Sequence, residues 1–144
     1  MTWEILMPTI LKIKQELLEY LDGDPVASVC LQIVDYAARQ KAENLVMLTY
    51  WSIAKGVGVD IRNPLLIMAV HTLVLNKKYH LLDKHYLLKD FDGSDKFISD
   101  EVVRRAYSEC ALVLSDGSVV NDVDSHLIPY FSASELLLEA KAVS

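Results

Sequence analysis

Two stretches of the chain, 43–55 and 64–76, carry almost no polar face when wound as helices. Leu45, Val46, Met47, Leu48, Tyr50, Trp51 and Ile53 fill the first; Leu65, Leu66, Ile67, Met68, Val70, Leu73, Val74 and Leu75 fill the second. A helix that is apolar all round has to be buried against something. In a chain of 144 residues not every such face can be central. The surplus predicts cover from the C-terminal part, from a second copy, or from a partner protein.

The pattern before these stretches is helical too. Trp3, Leu6, Ile10, Ile13, Leu17 and Tyr20 recur at steps of three and four, with Leu11, Leu18 and Leu21 widening the stripe. Pro8 predicts either a helix start near Met7 or a kink there, and Asp22-Gly23 a stop. Asp24-Pro25 reads as a cap followed by a first-turn proline. The helix it opens buries Val26, Val29, Ile33 and Ala37. Periodicity weakens over Gln40–Asn44. Asn63-Pro64 repeats the cap-plus-proline signal, and Asn76 suits a helix end.

After Lys77 the pattern changes. Tyr79–Leu82 and His85–Leu88 flank Asp83-Lys84, which reads as a β-hairpin over 79–88. Asp92-Gly93 marks another turn. Ser99-Asp100-Glu101 starts a helix reaching about Cys110. Leu112–Leu114 and Val119-Val120 flank an Asp116-Gly117 turn, the clearest hairpin signal in the chain. Ser132 with Glu135 fits a capping box ahead of Leu136, Leu137 and Leu138. The expected fold class is therefore α+β, mainly α. It comprises about four N-terminal helices (1–76) and a small antiparallel hairpin-and-helix part (77–144), read as one compact domain, since no Pro/Gly/Ser linker separates them.

Charge narrows the partners. The net charge is −6, from 20 acidic and 14 basic residues. Neither half of the chain is basic, which argues against nonspecific attraction to phosphate backbones. The two cysteines, Cys30 and Cys110, are too few for a disulfide framework and read as small buried hydrophobes of a cytoplasmic protein. Glu4 sits where a secretory leader needs positive charge. The uncharged runs Asn44–Ala54 and Asn63–Asn76 are shorter than the roughly 20 residues of a membrane-spanning helix.

Chemistry-bearing patterns are weak. His80, Asp83 and His85 are the nearest approach to a ligand cluster, and no second set completes a tetrahedral site. His71, on an apolar helix, reads as a core histidine with a hydrogen-bond partner. Asp90-Phe91-Asp92-Gly93-Ser94-Asp95 has calcium-loop residues at the wrong spacing. Gly56-Val57-Gly58 lacks the phosphate-loop lysine, and Ser125-His126 lacks a nucleophile elbow. No cofactor or metal is expected.

One basic cluster remains. Lys77, Lys78, His80, Lys84, His85 and Lys89 alternate with Tyr79 and Tyr86, and Arg104-Arg105 follow on the next helix. Helix 64–76 with hairpin 79–88 resembles the recognition helix and wing of winged-helix proteins. That resemblance implies a DNA-binding regulator in which Lys77, Lys78, Lys84, Lys89, Arg104 and Arg105 touch phosphate. Helix 64–76, however, offers base edges only His71, Thr72 and Asn76. The reading the sequence favours is a non-enzymatic protein–protein interaction protein: an adaptor, accessory subunit or inhibitor/immunity-type partner, or a homo-oligomer. Its contact residues are expected at Trp3, Leu6, Ile10, Ile13 and Leu17. An enzyme built around His80, His85 and His126 is the remaining alternative.

Overall fold

The computed structural model describes residues 8–144. The fold is α+β and mainly α, with helices dominating and a small antiparallel sheet. Contacts divide the chain into two compact units. The first holds the chain up to Asp83 and again from Phe131 to Ser144; the second holds Lys84–Tyr130. The sequence reading drew its sub-parts at residue 76, within one compact domain; the chain from Phe131 on, with the last helix, groups with the N-terminal helices.

The first unit starts at α1 (Ile10–Tyr20), whose cap is Thr9: its hydroxyl accepts from the Lys12 amide. The proline at position 8 thus precedes the helix and kinks nothing. Next come α2 (Val26–Arg39), a 3-10 turn at Ala42–Leu45, α3 (Tyr50–Val57) and α4 (Pro64–Leu75). Just ahead of α2, whose N-cap position is Pro25, the Asp24 carboxylate accepts from the Val26 amide at 2.9 Å. Asn63 caps α4, accepting from Leu65. The core gathers Ile13, Leu17, Cys30, Ile33, Val34, Ile53, Leu66, Val70, Leu73, Phe131 and Leu137, among others.

The expected helix 43–55 is a correction. The 3-10 turn ends at Leu45, the chain bends through Val46 and Met47, and Leu48 forms an antiparallel bridge to Phe131. The helix begins only at Tyr50, because Thr49 and Ser52 form a reciprocal capping box. Val46, Met47 and Trp51 are exposed rather than central.

The hairpin expected over 79–88 is also corrected. Tyr79, Leu81 and Leu82 lie in the core of the first unit. The chain then runs straight through Asp83-Lys84 as β1 (Leu82–Lys89). Asp83-Lys84 has no glycine to take positive φ, whereas Gly93 has φ 81° and supplies the real reversal. There β1 pairs antiparallel with β2 (Asp95–Phe97), Leu87 opposite Phe97. In the second unit α5 (Asp100–Glu109) follows, capped by Ser99. The Asp116-Gly117 hairpin forms as expected, with β3 (Leu112–Val113) opposite β4 (Val119–Val120). A short α6 (Val123–His126) leads into β5 (Leu127–Ala133). The three-stranded sheet has the order β2-β1-β5. As an edge strand, β5 accommodates Pro129, which has no ladder donor to give. The core of this unit is Val103, Ala106, Leu112, Leu114, Val123 and Leu127.

The final helix, α7 (Glu135–Val143), is capped by Ser134, two residues later than the Ser132 expected from the sequence. It packs in the first unit. Its Lys141 ammonium donates to the carbonyls of Ala37, Ala38 and Gln40 at 3.0, 3.1 and 2.6 Å. A cation is thereby placed on the negative end of α2, where the last carbonyls lack helical partners.

Candidate interaction surface

The first unit leaves several large apolar side chains exposed, and in α4 the helical period explains where. In α4, Leu66, Ala69, Val70 and Leu73 point inward. That leaves Ile67, Met68, His71 and Leu75 on the outer face, at steps of one, three and four. His71 is therefore exposed, not the core histidine expected; its Nε2 lies 3.3 Å from the Tyr50 hydroxyl. In α1, Ile10, Ile13 and Leu17, read from the sequence as partner contacts, are buried in the unit's own core. The outward apolar residues of α1 are instead Leu11, Leu18 and Tyr20. Trp3 and Leu6 lie outside the described residues.

The two outer faces meet at the C-terminal ends of α1 and α4. Tyr20 is 71 % exposed and Leu75 73 %. Between them runs a groove of about 750 Å³ lined by Glu16, Glu19, Tyr20, Leu75 and Asn76 together with Lys77, Lys78 and Tyr79. A second hollow shares Tyr20, Leu75 and Asn76 and extends to His71 and Thr72. The groove's far wall is held by Asn76. Its side-chain oxygen accepts from the amides of Lys78 (3.0 Å) and Tyr79 (2.7 Å), and the Leu81 amide donates back to Leu73 O. This turn buries the Tyr79 ring and leaves Lys77 outside.

The groove is electrically two-sided. Glu16 and Glu19 stand on the α1 wall, Lys77 and Lys78 on the other. Lys78 reaches Glu16 at 3.4 Å and lies 5.5 Å from the centre of the Tyr79 ring. Among the described residues, neither Glu19 nor Lys77 makes an ion pair within the chain.

The other residues singled out by the sequence sit elsewhere. Lys84 lies on β1 over the Tyr86 ring, 5.2 Å from its centre, and Lys89 is exposed at the end of that strand. Arg104 and Arg105 are exposed on α5, where Arg105 meets Glu101 at 3.5 Å. His80, in the first unit, has Nδ1 at 2.5 Å from Val74 O and Nε2 at 2.5 Å from Asp83. In the second unit His85 packs on Tyr130, and His126 Nδ1 lies 3.0 Å from Lys89 O. Among the described residues, no group of three or more His, Cys, Asp or Glu could hold a metal.

Cys30 is buried as expected, and burial pushes its thiol up to about 12, with Asp24 adding to the shift. A thiol held protonated in this way is a poor nucleophile. Cys110 differs from expectation: it is exposed at the end of α5 in the left-handed region, φ 53°. Among the described residues no helix is long and apolar enough to cross a membrane.

No protein-family model, curated protein or solved structure matches this chain, so its surface chemistry carries the functional argument alone.

Proposed function

We propose that this chain is a non-enzymatic protein–protein interaction protein, an adaptor, accessory subunit or inhibitor-type partner. It binds through the outer stripe of α4 and the Tyr20–Leu75 groove beside it. One observation carries this reading. Ile67, Met68, Leu75 and Tyr20 are all exposed while the inner face of α4 is fully packed. Contiguous apolar surface rimmed by charge is characteristic of a docking face.

The test is partner capture from the native cell with wild type, Leu75→Asp and Ile67→Asp. Both substitutions lie on the solvent side, so helical content measured by circular dichroism should be unchanged. A charge placed at the centre of a contact should cost about 2 kcal/mol or more of binding. Equal capture by all three proteins would overturn the assignment of this face. The DNA-binding alternative is read by a gel-shift titration across salt, in which no binding at about 50 mM salt, or binding indifferent to salt, would rule it out.

A further inference from the structure

We infer that the partner seated on the Tyr20–Leu75 groove is a second copy of this chain, related by a two-fold axis; this rests on the docking reading above and names its occupant. The inference follows from how charge is laid out. A two-fold interface uses the same patch on both sides, so the patch must complement itself after rotation. An all-acidic or all-basic patch fails that condition through like-charge repulsion. This patch meets it, with an apolar centre (Tyr20 and Leu75), acid on one flank (Glu16 and Glu19) and base on the other (Lys77 and Lys78).

Rotation about an axis through the centre lays the acidic flank of each copy on the basic flank of the other. Tyr20 then covers Leu75 of the second copy, and the reverse contact forms by symmetry. Glu19 and Lys77 are the two groove charges without an ion pair among the described residues, and they are the ones such a copy would satisfy. Lys78, already engaged with Glu16 at 3.4 Å, stays on its own chain and holds the groove's shape. The net charge of −6 makes the local balance informative: an average surface of this chain repels its own copy, and this patch does not.

The experiment is sedimentation equilibrium over a wide concentration range with four samples of the full chain. These are wild type, Glu19→Lys, Lys77→Glu, and an equimolar mixture of the two variants. Wild type should self-associate, and more weakly as salt is added. Each single variant sets like charges opposite each other twice per dimer and should weaken association roughly ten-fold or more. In the mixed dimer, the reversed charge at position 19 of one copy faces the reversed charge at position 77 of the other. The native Glu19 and Lys77 form the second pair, so both pairs attract. The mixture should therefore recover the wild-type affinity. A partner of any other kind, or a folding defect, gives no such recovery.

A wild type that is monomeric throughout overturns the self-association. So does a dimer indifferent to both substitutions, and so does a mixture that stays monomeric. The capture experiment with Leu75→Asp reads the docking face separately, so a monomeric wild type that still loses its partner on that substitution would leave the face assigned and only its occupant wrong.

Discussion

Among the described residues, Asp90 has more hydrogen-bond partners than any other carboxylate of the second unit. Its side chain is fully buried, at 0 % exposure. It accepts from the Lys96 ammonium at 2.7 Å, the Ser115 amide at 3.0 Å, the Ser115 hydroxyl, and its neighbour's amide at Phe91. It thereby ties the β1–β2 turn to the β3–β4 turn. Lys96 and Ser115 hold the Asp90 carboxyl far below the usual carboxylate range. A carboxyl depressed on folding adds stability above its unfolded value, about 4, and loses that contribution as pH falls further. Asp90→Asn should therefore be less stable than wild type at pH 7 in urea unfolding, and the gap should close as the pH drops below about 4. The sequence showed the acidic turn here but not its hub, since Ser115 lies far along the chain and has no special local context. Gly56 is a second residue-scale constraint. A Cβ there would overlap the Tyr36 ring of α2. Alanine would gain about 1 kcal/mol in helix propensity but force the ring or the helix aside at about 1–3 kcal/mol. Gly56→Ala should lower stability by about 1 kcal/mol in chemical denaturation, with Tyr36→Ala in the same background removing the clash.

At the scale of elements, helix ends were the most legible feature. The caps at Asn63 and Ser99, and the Asp116-Gly117 hairpin, stand where local chemistry placed them, because each is settled by residues close together in the chain, while at Asp24-Pro25 the helix starts one residue later than expected. Elements whose identity depends on distant partners were misread. Val46–Leu48 is apolar enough for a helix, but Leu48 is claimed by Phe131, whose carbonyl and amide both bond it. β5 gave no signal, since Pro129 argues against a strand unless the strand lies at an edge. The apolar excess of 64–76 was visible, but which side of that helix packing would cover was not: Leu66, Ala69, Val70 and Leu73 turn inward, while Ile67, Met68 and Leu75 stay exposed. Lys141 shows how one side chain can set an element's end from afar. Lys141→Met keeps the aliphatic stem and removes three charge-assisted bonds to the end of α2. The expected loss is about 1–2 kcal/mol of stability. Hydrogen exchange should show faster opening at the last turn of α2 while the centre of that helix is protected as before.

At the scale of the whole molecule, the chain leaves the first unit after Asp83 and re-enters it at Phe131, so the second unit is inserted into the first rather than appended to it. A reading along the sequence assigns the tail to whatever precedes it and cannot show such a return. The exit and re-entry points are joined by the Ser134 amide donating to Leu81 O at 2.9 Å, and Phe131 is locked to Leu48 just beside them. Replacing residues 84–130 by a short Gly/Ser link should leave a protein that unfolds cooperatively with its helical spectrum kept. A deletion product without a cooperative transition would show that the two units fold only together. The excised segment alone, with six small-to-medium residues in its core, should be only marginally folded. The backbone bond from Ser134 to Leu81 acts as a clasp where the chain leaves and re-enters, and whatever sits beyond a clasp can be lengthened, shortened or exchanged over generations without retuning the helices behind it.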